Sequence, residues 1–136
     1  MYNIIVASLV AGIGAQILKL IIEFFKGEFS WRKVMVYGGM PSSHAAFVGA
    51  LVAGVGIREG FDSSTFAIAL VFAILIIRDA VGLRRHVGYH GAAIAKLINE
   101  RKDKNEFPPT INRLGHTPSQ ALAGLIFGII IALLFA

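Results

Sequence analysis

Hydrophobic residues in this chain fall into four long blocks separated by short polar intervals. Residues 2–25, 43–57, 65–83 and 117–136 are dominated by Ile, Leu, Val, Ala and Gly. A helix needs roughly 20 apolar residues to cross the hydrocarbon layer, with about 17 as a lower bound. The first, third and fourth blocks meet that length. The second is short and rich in glycine, so it crosses only by borrowing flanking residues or by sitting inside the bundle. The first block does not read as a cleavable leader, because it lacks a basic start and carries Lys19 and Glu23. The pattern predicts an all-α integral membrane bundle of about four transmembrane helices, with residues 1–136 forming a single membrane domain.

Composition narrows the chemistry. There is no cysteine among the 136 residues, which excludes disulfides and thiolate metal sites. The net charge of +5 would suit nucleic acid, but most of the charges lie in the intervals between helices. Anionic lipid or phosphate is therefore the expected partner, and nucleic acid is not. "NERKDKNEFPP" (99–109) reads as a charged surface loop closed by a proline pair.

Four spans place residues 26–42 and 84–116 on one side of the membrane, with 58–64 and both termini on the other. The first interval holds Lys26, Arg32 and Lys33 against Glu28, and the long one holds seven basic residues against three acidic ones. The opposite loop has Arg58 against Glu59 and Asp62. The excess of Lys and Arg assigns the long intervals to the cytoplasm, as expected for a protein of the inner (plasma) membrane.

That parity also gathers the polar motifs. "GGMPSSHAAF" (38–47) opens the second helix, "RDAVGLRRHVGYH" (78–90) lies where the third should end, and "LGHTPSQALAG" (114–124) opens the fourth. All four histidines, His44, His86, His90 and His116, are in these stretches. They converge at one end of the bundle, the cytoplasmic one.

Gly12, Gln16, Lys19 and Glu23 share one face of the first helix. Lys19 either pairs with Glu23 or turns into the polar mouth as an anion ligand. Pro41 with Ser42 and Ser43 suits a capped helix start, and such a start also offers N–H groups and a positive dipole end to an anion. His44 adds a group able to donate a proton near neutral pH. Arg84 and Arg85 suit bidentate phosphate binding, or else a basic anchor for anionic lipid. Asp79 is placed to orient a histidine, pair with an arginine or bind a metal. His116 precedes a Thr-Pro helix start, and Gln120 is four residues on. His86 and His90 read as interfacial histidines. No HExxH spacing is present, so neither a metal nor a cofactor is expected.

"MPSSH" resembles the PSGH motif of the phosphatidic acid phosphatase type 2 and vanadium haloperoxidase superfamily, and "LGHTPSQALAG" is similar to the segment closing that superfamily's third motif. The layout as a whole looks like a divergent branch of small membrane proteins described as acid phosphatase/vanadium haloperoxidase-related. Gln16 and Lys19, Gly38 to His44, Asp79 to Arg85, and Leu114 to Pro118 carry the likeness in order, over nearly the whole chain. The resemblance implies metal-free hydrolysis of a phosphomonoester or diphosphate through a phosphohistidine. It makes His116 the nucleophile and His44 the general acid. Ser42, Ser43, Lys19, Arg84 and Arg85 become phosphate ligands, with Asp79, Gln120 and Gln16 supporting. His90, six residues after Arg84, is the alternative nucleophile. Where the superfamily has glycine the chain has Ser43, and where it has aspartate to orient the nucleophile the chain has Gln120.

The expected activity is thus a membrane phosphatase acting on a lipid or isoprenoid phosphate. A non-catalytic lipid-phosphate binder or transporter, and a structural membrane subunit, are the alternatives. A bundle this small also suits a homodimer that buries glycine-rich faces such as "GALVAGVG" (49–56).

Overall fold

The computed structural model describes residues 3–27, 39–110 and 114–136. Glu28, Arg32, Lys33, Gly38 and Arg113 lie outside the described residues. Helix α1 runs Ile4–Phe25, α2 Ser43–Glu59, α3 Ser64–Arg78, α4 Arg84–Asn99 and α5 Pro118–Phe135. A short 3₁₀ turn, Lys104–Glu106, lies in the charged loop. There is no strand among the described residues. Most starts follow directly from the sequence. Asn3, Ser42, Ser63 and Thr117 each place a side-chain oxygen on a free N–H of the first turn of α1, α2, α3 and α5.

The third apolar block does not end where its hydrophobicity does. A π-helical turn, Asp79–Leu83, joins α3 to α4, giving one continuous 36-residue helix, Ser64–Asn99. No proline interrupts residues 64–99, and Leu83, Val87, Ile94 and Leu97 recur at helical spacing on the exposed side. The backbone therefore keeps its helical hydrogen bonds well beyond the apolar run. Residues 84–99, expected in an interval between helices, are helix.

Among the described residues, three helices are long and apolar enough to cross a membrane: α1, the continuous α3–α4 helix and α5. At 17 residues α2 is the short one, and it occupies the centre, with α1, α3 and α5 packed around it. The result is an all-α membrane bundle whose interior is built of small residues. Ala7, Ala11 and Ala15 form the buried stripe of α1, and Ala121, Gly124, Gly128 and Ala132 that of α5. Large side chains point outward: Ile13, Ile68 and Leu133 are 60%, 71% and 59% exposed. Hydrocarbon tails solvate such residues as well as a core would, so close backbone approach holds the helices together.

Glycine permits that approach. A Cβ on Gly49 would lie 2.8 Å from the Leu125 carbonyl oxygen, and one on Gly128 would strike the Ala46 carbonyl. Gly49, Gly54 and Gly56 are all buried inside the chain. The glycine-rich face expected at a dimer contact is therefore already covered by the protein's own helices. Replacing Gly128 with alanine should force α2 and α5 apart and lower stability by about 1–3 kcal/mol, read as a lower melting temperature in detergent.

Candidate functional site

Four helix ends meet on one side of the bundle: the last turns of α1 and α3, and the first turns of α2 and α5. A cleft of about 830 Å³ opens there. Gln16, Lys19, Ser43, His44, Arg84 and His116 line its polar end. Leu9 and Ile13 from α1, Phe47 and Val48 from α2, and Phe72 and Ile76 from α3 continue it as an apolar trough. Each of α1 and α3 packs on α2, so the trough runs along α2 between them.

The His44 and His116 rings stand 6.4 Å apart, centroid to centroid. His116 Nδ1 is 3.1 Å from the Gly39 carbonyl oxygen and 3.4 Å from the Gly39 nitrogen. The carbonyl only accepts, and it is the nearer, so the proton is assigned to Nδ1 and the Nε2 lone pair is left free. Burial pushes the His116 imidazole below its ordinary range, the Gly39 carbonyl works against this, and the charges of His44 and Lys19 add to the depression. The balance favours the neutral ring.

Lys19 is buried and reaches across the cleft mouth. A Cβ on Gly39 would meet Lys19 Cε at 2.5 Å and Glu23 Oε1 at 3.3 Å. Lys19 thus lies over Gly39 and beside Glu23 while also lining the cleft. Arg84 Nε donates to Asp79 Oδ2 at 2.6 Å, which gives Asp79 the arginine-pairing role.

Other candidates lie elsewhere. Ser42 is fully buried, and its Oγ accepts from the Ala45 N–H as the α2 cap. Gln120 Oε1 accepts from the Thr117 N–H in a capping box. The orienting contact expected from Gln120 is shared with Gly39, both of which contact the His116 imidazole. The Arg85 guanidinium lies 5.7 Å from the Tyr89 ring centroid, and Arg85 does not line the cleft. His86 and His90 are exposed on α4. They are four residues apart, but no group of three His, Asp or Glu suited to a metal occurs among the described residues. The apolar trough and the Gly39 carbonyl had no signal of their own in the sequence.

The sequence profile of the Divergent PAP2 family matches residues 2–131. The chain belongs to the divergent PAP2 family. It is also 38% identical to the uncharacterized membrane protein YuiD of Bacillus subtilis (strain 168), over 97% of this chain and 92% of that protein. No solved structure matches it. The cleft brings together one residue or more from each of the four sequence motifs: Gln16 and Lys19, Ser43 and His44, Arg84, and Leu114 to His116.

The two adjacent arginines should therefore behave differently. Arg84→Gln should weaken orthovanadate binding about 10- to 100-fold, as loss of one charge-assisted contact implies. Arg85→Gln should leave it within about twofold, both measured by titration calorimetry on the detergent-solubilised protein.

Proposed function

We propose that this protein is a phosphatase that removes the phosphoryl group from a lipid or isoprenoid phosphate. The observation that carries the reading is one cleft in which two histidines face each other beside Lys19 and Arg84, with an apolar trough leading away along α2. The charged end suits a phosphate, and the trough suits the hydrocarbon tail attached to it.

In this reading Lys19, Arg84 and the Ser43 hydroxyl hold the phosphate oxygens. His116 Nε2 attacks phosphorus, and the bond from phosphorus to the lipid oxygen breaks. The departing oxygen takes the proton of His44. Water then attacks the phosphohistidine, giving its proton to His44 as the N–P bond breaks and phosphate leaves. The site faces the cytoplasm, where the excess of basic residues lies, and the substrate comes from the inner leaflet. Exposure of His90 outside the cleft favours His116 as nucleophile.

A carrier for lipid phosphate would use the same cations without needing a nucleophile. His116→Asn separates the two. It should abolish phosphate release from a panel of lipid phosphates while leaving orthovanadate binding within a few-fold of wild type; unchanged release would exclude the covalent mechanism. Activity should also survive EDTA and be inhibited by orthovanadate. Because the folded site lowers the affinity of His116 for a proton, the neutral nucleophile persists below the ordinary imidazole pKa of about 6.5. The acid limb of kcat/KM against pH should accordingly fall below that value, and a limb above it would contradict the buried, neutral His116.

A further inference from the structure

Residues five apart on a regular α-helix are turned about 140° from each other, too far to share a face. Asp79 and Arg84 are five apart, yet their side chains pair at 2.6 Å. The π-helical turn between them accounts for this: the Arg84 N–H bonds to the Asp79 carbonyl, the i→i+5 pattern that widens the turn and brings both residues to one side. The same turn serves a second purpose. The Ala80 carbonyl accepts a hydrogen bond at 2.9 Å from the backbone N–H of His116, 36 residues further along the chain.

The segment before α5 is fitted closely against this place. Gly115 has φ +90°, and a Cβ there would lie 2.5 Å from the Arg85 nitrogen. A Cβ on Gly88 would lie 2.9 Å from the backbone of Leu114. Two glycines thus let residues 114–116 lie directly on the backbone of the α3–α4 helix, within reach of Ala80.

We propose that the π-helical turn Asp79–Leu83 is the element that assembles the anion site, with Asp79 a positioning residue that acts through Arg84 while the Ala80 carbonyl fixes His116. It rests on the phosphate-binding reading above and adds to it the means by which the two halves of the site are brought into register. The ion pair is only half-buried, with Arg84 43% and Asp79 35% exposed, so its worth is in aim more than in stability.

A double-mutant cycle on the full-length protein in detergent tests the proposal, with orthovanadate as the probe and melting temperature recorded alongside. Asp79→Asn should weaken orthovanadate binding about fivefold to tenfold without lowering the melting temperature appreciably. In an Arg84→Gln background the same change should cost less than about twofold, because the residue it acts through is gone. Equal losses in both backgrounds would show that Asp79 acts independently, and would overturn its positioning role while leaving the phosphate-binding reading intact. Failure of the wild-type protein to bind orthovanadate would overturn both. Deleting Val81 tests the turn itself, since removing one residue returns it to α-helical periodicity. The folded deletion variant should lose binding about 100-fold or more, and one that binds like wild type would refute the assembly role. Where that variant does not fold, the cycle decides.

Discussion

The contact on which the rest of this structure depends is the approach of α2 to α5 at backbone distance. Gly124 and Gly128 bring α5 against the Ser42 and Ala46 carbonyls, and Gly49 brings α2 against the Leu125 carbonyl. At the top of this seam the Ser42 N–H bonds to the Gln120 carbonyl at 3.1 Å. That bond fixes the relative height of the two helix starts. His44 stands one residue into α2 and His116 one residue before the α5 cap, so the height of the seam sets the separation of the two rings. A side chain at any of the three glycines would change the helix spacing and the cleft together.

The remaining partners are joined to this seam through main-chain groups. Gly39 holds the His116 ring by its carbonyl, and Ala80 holds the His116 backbone by its own. Main-chain acceptors are well suited to a site at a membrane boundary: they carry no charge to desolvate, and a helix irregularity or a chain turn exposes them at a fixed position. The charged groups at the cleft have opposite charges near them, Glu23 beside Lys19 and Asp79 paired with Arg84. Charge inside or near the hydrocarbon layer is costly without such partners. Each pair keeps a cation at the cleft while limiting that cost. The apolar trough starts at once beyond them, so the cleft offers a charged and an apolar environment side by side.

Much of this was legible in the sequence because membrane solvation imposes long-range order on short-range pattern. Four apolar blocks fix the number of helices, and parity then fixes which polar motifs share an end. On that ground alone Lys19, His44, Arg84 and His116 belong to one region, as found. Helix starts were legible too, at the Ser42–Ser43 pair and at Thr117, since a cap is a local matter of one side chain and the next turn. Within a motif the reading ran out. Nothing local distinguishes Arg84 from Arg85 or Ser42 from Ser43, because which of two neighbours faces a cleft depends on helix phase. For the arginines that phase is set by a π-helical turn with no apolar signature, and for the serines by which of them caps the helix.

The sequence by itself thus determined the class of structure, the long apolar helices seen among the described residues and the end of the bundle at which the polar motifs gather, all of which follow from hydrophobicity and connectivity. Only the tertiary structure decided that α2 is the enclosed helix, that residues 84–99 continue α3, and that Gly39 and Ala80 hold His116. Those are contacts between main-chain atoms, which every residue carries alike. Their placement depends on how closely two helices approach, and that distance is a property of the packed bundle rather than of any one segment.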